Sequence, residues 1–346
     1  MKDLELLKTI TELPGGSGDE GMVRKFIKER LNKISHAETD GMGNIYASIG
    51  QGPRVLAVGH MDEIGFKVAS INMDGSINVH NAGFVFPWGM LSQIYNVFTS
   101  KGIIKGVISL NPNQKEGGPK SEFPRVEDLK LYVGAHSKEE VEALGIEVGN
   151  SVIYEPHFVE LENDELLTKA WDNRIGCALS IRALEDLASK DLKITYIGGG
   201  TVQEEVGCRG AKALVKHINP DIAFSLDTAP ASDEDGSILG KGPQLFVMDS
   251  GTLANKKLLE FAKKVAKDNN IPYQLSLIRR GSTDASSFQN ETDGIPVLAI
   301  SVPVKYIHTP VSIISHEDYL NTLKLFEAIL LALNEEEVNK IKSFDD

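Results

Sequence analysis

The apolar run Val55-Leu56-Ala57-Val58-Gly59 ends in His60-Met61-Asp62-Glu63, and this junction constrains the chain more than any other stretch. A short apolar run bounded by polar residues reads as a buried strand. The chain therefore delivers an imidazole to a strand's carboxyl end inside the molecule. Side chains at i and i+2 of a strand share a face, so Asp62 can reach the His60 ring from behind. A metal-ligating histidine needs such a partner to fix its tautomer. His-x-Asp alone is a weak motif, and its weight depends on the company it keeps.

The surrounding chain reads as alternating helices and strands. Helical spacing recurs over 3–13 and 19–34, the second through Val23, Phe26, Ile27, Leu31 and Ile34. A Pro/Gly turn cluster at 14–18 separates them, and strand-like runs follow at 44–49 and 54–60. From about residue 66 to 158 the texture shifts to short β-type runs: 77–80, Ile94–Thr99, Gly102–Leu110 and Ser151–Tyr154. One short helix at 138–144 has Ser137 and Glu140 spaced as a capping box. The polar, Gly/Pro-rich stretch 111–120 reads as a mobile loop. Alternation then returns with a helix at 172–190, placing Cys177, Ile181, Leu184 and Ala188 on one stripe. Strands are expected at 193–203, 222–226, 273–279 and 296–302. A closing helix at 317–333 sets Leu320, Leu323, Phe326, Leu330 and Leu333 on one face. The expectation is a three-layer α/β domain with a mixed central sheet, made of residues 1–65 and 164–346 and interrupted by a β-rich domain at 66–163.

Composition narrows the function classes. A chain of 346 residues, 41% hydrophobic, has the length for roughly two domains and an ordinary globular core. No apolar run approaches the ~18 residues of a bilayer span, and the charged N-terminus lacks the apolar centre of a signal peptide. Two cysteines, Cys177 and Cys208, build no disulfide framework and fit a reducing cytoplasm. Cys177 falls on an apolar helix face and reads as a small buried hydrophobe. A net charge of −13 argues against nucleic acid or an anionic membrane as partner, since both require basic patches.

Four further stretches share the character of His60. Asp172, within Trp171-Asp172-Asn173, opens the long helix, where the helix dipole alone could favour a carboxylate. Thr201-Val202-Gln203-Glu204-Glu205-Val206-Gly207 puts two carboxylates at a strand end. Asp227 ends the next strand, and His308-Thr309-Pro310 supplies a second imidazole after another. Asp227 alone could be a loop carboxylate and His308 alone a surface histidine. Ligands of open α/β sheets gather beyond the carboxyl ends of strands, where four of these groups fall. Adjacent strand residues point to opposite faces, so Glu204 and Glu205 meet one site only if the chain turns, as Gly207 permits. Two divalent ions would bring four positive charges against the carboxylates of Asp172, Glu205 and Asp227, a balance that one hydroxide completes. Mixed His and carboxylate ligation suits zinc, cobalt or manganese better than calcium.

Taken together, His60-x-Asp62, Trp171-Asp172-Asn173, Glu204-Glu205, Asp227 and His308 resemble the tetrahedral aminopeptidase family, co-catalytic metallopeptidases that include the glutamyl aminopeptidases. The likeness runs through Gly240-Lys241-Gly242-Pro243, Met248-Asp249-Ser250-Gly251 and Gly281-Ser282-Thr283-Asp284-Ala285, and covers nearly the whole chain. It implies that Asp172 bridges two metal ions, zinc or cobalt, with His60 and Asp227 completing one site and Glu205 and His308 the other. It assigns Glu204 as general base and Asp62 as the residue that orients His60. The β-rich segment would be a PDZ-like dimerisation domain, with dimers assembling into a tetrahedral dodecamer. Asp249 and Asp284 would line the substrate pocket. Gly198-Gly199-Gly200 departs from the bulkier strand residues usual in relatives. Lys305 and Ser312 stand near His308 where Arg and Glu are commoner.

The activity expected is release of N-terminal residues from short peptides. Two other chemistries compete. A metal-dependent deacetylase or carboxypeptidase-like amide hydrolase would need a cation for a substrate carboxylate, which Arg279, Arg280 or Lys241 could supply. An endoglucanase-type glycosidase would need Glu204 and Glu205 at least ~5 Å apart across a sugar, and would leave the histidines without a role. The remaining histidines, His36, His80, His136, His157, His217 and His316, show no ligand spacing.

Overall fold

The apolar runs become the centre of one large sheet, whose strands run in the order Glu38–Thr39, Ile45–Gly50, Thr195–Thr201, Arg54–His60, Ile222–Pro230, Val297–Lys305, Ser312–Ser315, Glu165–Thr168 and Val159–Glu160. The structure is a computed structural model describing residues 2–110, 124–232 and 237–345. The stretch 111–120, read above as a loop, lies outside the described residues. The four middle strands, from Thr195–Thr201 to Val297–Lys305, are mutually parallel, and antiparallel strands flank them on both sides. The sheet is therefore mixed, with its parallel part at the centre.

Helices cover both faces, as a parallel sheet requires. On one side Lys2–Glu12, Gly21–Leu31, Trp171–Leu187, Lys256–Asp268 and His316–Ala332 pack Leu7, Ile27, Ile181 and Phe326 into one core. On the other, Arg209–Ile218 and Ala285–Asn290 close over Leu56, Val58, Leu214 and Phe288. A third core is separate. Strands Gly65–Ile71, Ile77–Ala82, Leu129–Tyr132, Gly102–Leu110, Ile94–Thr99 and Ser151–Tyr154 form a closed barrel around Phe66, Val97, Leu131 and Val152.

Three expectations of detail need correction. Leu320 is 41% exposed: the buried face of its helix follows Tyr319, Thr322, Phe326 and Ile329, and Leu320 lies about 100° round from Tyr319. Ala188 is exposed because its helix ends at Leu187. At the 138–143 helix, Ser137 caps Glu140 as expected, but the Glu140 carboxylate accepts from the backbone of His136, one residue earlier than a capping box requires.

The middle residue of the triple glycine has a packing reason. A Cβ on Gly199 would stand 1.9 Å from the Ile45 carbonyl oxygen and 2.7 Å from Tyr46 Cα, both backbone of the adjacent antiparallel strand. Nothing there can yield without moving the strand. Gly199→Ala should therefore cost about 3 kcal/mol or more; a denaturation midpoint indistinguishable from the parent would refute this.

Candidate active site

Parallel strands end at the same edge, so their last residues converge. His60 closes the Arg54–His60 strand, level with Thr201. Asp227 lies within Ile222–Pro230, and His308 follows Val297–Lys305 in a turn where its φ is 59°. Asp172 comes from the irregular start of the Trp171–Leu187 helix. After Thr201 the chain leaves the sheet, with Gln203 at φ 56° and Gly207 at φ 116°, and the amides of Gly207 and Cys208 both donate to the Glu204 carbonyl. That tight turn brings adjacent glutamates to one place.

The distances are close. Asp172 presents Oδ1 to His60 Nε2 at 3.0 Å and Oδ2 to His308 Nε2 at 3.1 Å. Glu204 Oε2 lies 3.6 Å from His60 Nε2, and Glu205 Oε2 lies 3.7 Å from His308 Nε2. One donor atom each from His60, Asp172 and Glu205 lies within 4.8 Å of the others. These groups and Asp227 line a cavity of about 700 Å³. Glu204 and Glu205 thus face different imidazoles, and both histidines are engaged with carboxylates.

His60 Nδ1 faces the Asp62 carbonyl at 3.1 Å and the Asp62 carboxylate at 3.4 Å. That carboxylate also accepts from Ser17 Oγ at 2.7 Å and from the backbone amides of Glu204 at 3.0 Å and Glu205 at 3.2 Å. Asp62 thus fixes the turn that carries both glutamates, a role the i+2 argument did not contain.

Burial sets the electrostatics. It opposes the charged form of His308, but the Glu205 and Asp172 charges outweigh it and push the imidazole up from 6.5 to about 10. Burial, countered by His60 and reinforced by the charges of Asp284 and Asp172, pushes Glu204 up from 4.5 to about 8. Glu205 and Asp227 are raised by burial in the same way. Burial also opposes ionisation of Asp172, yet its bonds to His308 and His60 hold its carboxyl below the usual range. Glu205 Oε1 is buried with no hydrogen-bond partner among the described residues. Four crowded carboxylates, one of them with an unpaired buried oxygen, and two imidazoles form a donor set suited to divalent cations.

Sequence reasoning missed three supporting groups. Glu63, Lys169 and Arg174 are buried together, with Lys169 Nζ 2.6 Å and Arg174 Nη2 3.0 Å from the Glu63 carboxylate. No local spacing joins residue 63 to 169. Phe84 and Phe86, from just beyond the barrel strand Ile77–Ala82, also line the cavity. Asp249 lines it too, accepting from the amides of Gly251 and Thr252. Asp284 instead lies buried behind the wall, where its Oδ2 accepts from Thr201. Ser312 is buried and donates to the Thr168 carbonyl, and Lys305 is exposed.

Such a sheet, with its strand ends gathered on one cavity of carboxylates and imidazoles, defines a hydrolase of the metallopeptidase class. The chain belongs to the M42 glutamyl aminopeptidase family, which it matches over residues 43–325. It is 33% identical over 356 residues to the glutamyl aminopeptidase of Lactococcus lactis, covering 99% of this chain and 100% of that one. The TET aminopeptidase of a marine-sediment archaeon of the Thaumarchaeota superposes with a TM-score of 0.96 at 32% identity, over 99% of this chain and 100% of that one. A TET peptidase of Pyrococcus horikoshii that can assemble into a tetrahedron or a large octahedral shell superposes at 0.89 and 33% identity, over 96% of this chain and 100% of that one. The chain is accordingly an aminopeptidase. Among the described residues no helix is long and apolar enough to cross a membrane.

Two predictions follow from the buried charges. Glu63→Gln strands two cations in the interior and should cost about 3–5 kcal/mol, which chemical denaturation would detect. In the chelated protein, Glu204 holds a proton between 4.5 and about 8, and His308 between 6.5 and about 10, that the unfolded chain has released. Stability then falls as pH rises through those windows. Cation binding needs His308 and the raised carboxyls of Glu205 and Asp227 deprotonated, so zinc should raise the melting temperature more at pH 8 than at pH 6. An equal gain at both would contradict the assignment.

Proposed function

We propose that this aminopeptidase releases N-terminal residues from short peptides at a dinuclear metal site. Asp172 would bridge the ions, His60 and Asp227 would complete one site, and Glu205 and His308 the other. The observation that carries the reading is the division of Asp172, whose two oxygens face different imidazoles at 3.0 and 3.1 Å. The donor set favours zinc or cobalt. When bound, two such ions supply Lewis acidity, polarising the scissile carbonyl and lowering the pKa of a water toward ~7.

The remaining work belongs to the chain. Glu204 borders the cavity beside His60 and is the candidate general base: it would take a proton from the attacking water and return it to the leaving amine. Its raised pKa makes the protonated form easy to reach, and the nearby cations would restore the ionised one. Asp62 orients His60 and holds the turn that aims Glu204. Phe84, Phe86 and Phe246 give the cavity apolar wall for a substrate side chain.

We further propose that residues 66–163 form a PDZ-like dimerisation domain built on the closed barrel, and that dimers assemble into a tetrahedral dodecamer in the cytoplasm. The tetrahedron that the Pyrococcus horikoshii relative can form supports the assembly. Mass measurement in solution would test it, and a monomer at working concentration would overturn it.

For the chemistry, the test is hydrolysis of matched free and N-acetylated peptides after chelation and reconstitution with zinc or cobalt. Stepwise cleavage of only the free-amine set, abolished by chelator, is expected. Activity confined to blocked peptides would return the deacylase reading. Glu204→Gln should lower kcat by at least ~10²-fold with metal content intact; loss of metal instead would exchange the roles of Glu204 and Glu205.

A further inference from the structure

Beside the metal-type cluster stands a second group of potential donors. Cys208 precedes the Arg209–Ile218 helix at φ 50°, and its Sγ lies 3.3 Å from Glu204 Oε1. Asp284, 1% exposed, brings a carboxylate oxygen to the same place, and donor atoms of Glu204, Cys208 and Asp284 all lie within 4.8 Å of one another. Thr201 satisfies Asp284 Oδ2, whereas Oδ1 is buried with no nitrogen or oxygen donor among the described residues, and the Cys208 thiol is the carboxylate's one further hydrogen-bonding neighbour among them. A buried carboxylate oxygen with no better donor than a thiol is costly, and a cation would relieve that cost.

We propose that Glu204, Cys208 and Asp284 form a third cation site, which takes a thiophilic divalent ion such as zinc or cadmium and silences the enzyme. Donors at ~2.0–2.3 Å from one ion stand ~3.4–3.7 Å apart around it; the Glu204–Cys208 pair, at 3.3 Å, is close to that separation, and Asp284 lies within 4.8 Å of both. The thiol gives its proton to solvent as the sulfur–metal bond forms. Sulfur also sets the selectivity. Magnesium, calcium and manganese prefer all-oxygen sites, while zinc and its softer relatives accept thiolate.

Inhibition follows from Glu204, and this half of the proposal rests on its reading as general base. A carboxylate held on a third ion cannot shuttle a proton, and Glu204 and Cys208 both border the substrate cavity. Excess of the metal that activates the enzyme would then also switch it off.

The residue set offers a selective probe. The ligands proposed for the dinuclear site carry nitrogen and oxygen only, and the other cysteine, Cys177, is fully buried with its Sγ directed at the carbonyls of Gly59 and His60. A thiolate-to-cobalt charge-transfer band therefore reports on Cys208 alone. The holoenzyme, loaded with two equivalents of cobalt, is titrated with more cobalt while the near-ultraviolet spectrum and peptide hydrolysis are followed together. The band should grow with the third equivalent as activity falls, and zinc or cadmium, but not magnesium, should inhibit likewise. Cys208→Ser should remove the band and raise the inhibitory cobalt concentration at least ~10-fold, each rate measured against that variant's own uninhibited value. Asp284→Asn should weaken the third equivalent and keep the band. No band, or one persisting in Cys208→Ser, overturns the site. A band that grows at full activity overturns the inhibitory role, and the Glu204→Gln rate then separates a Glu204 that stays off the third ion from a Glu204 that is not the base.

Discussion

The Asp62 carboxylate is the interaction on which the rest of the site depends. It is fully buried, faces His60, and accepts from Ser17 and from the amides of both Glu204 and Glu205. Three remote pieces of chain, the loop after the first helix, the end of one parallel strand and the turn after the next, thus meet on two oxygens. A carboxylate is tolerated in the interior only when hydrogen bonds and charged partners of this kind replace its water. Burial opposes the ionised form here, and the His60 contact with these donors overcomes it, holding Asp62 below its usual range.

A second buried cluster ties the same parts from behind. Glu63 receives Lys169 and Arg174, and Arg174 also donates to the carbonyls of Ile10 and Leu13. Asp172 lies between Lys169 and Arg174 in sequence, so the segment carrying it is gripped on both sides. Strand end and helix start are therefore fixed relative to each other, as a site requires when its groups must stand within fractions of an ångström of their working positions. The price is stability that depends on complete charge pairing.

Much of this was legible in the chain. Apolar runs placed the central strands, and polar residues just beyond them marked the edge where ligands collect. Periodicity found most helices flanking those strands, because burial of one face leaves a repeating signature. It was less secure where neighbours decide the outcome: Leu320 fits an apolar stripe but faces outward, since the helix is rotated to bury Tyr319. The triple glycine read as a departure from relatives, and the approach of the Ile45 carbonyl gives its middle residue a physical cause.

By itself the sequence determined the class of fold and the identity of the groups that converge, because strand ends in a parallel sheet share one edge whatever the details. Tertiary structure alone decided how those groups face one another. The split of Asp172 between two imidazoles, the clasp of Asp62 on the Glu204–Glu205 turn, the Glu63 ion cluster and the nearness of Cys208 to Asp284 all join residues far apart in the chain. Sequence spacing records contacts along an element; contacts between elements depend on packing, and packing is settled only when the whole core closes.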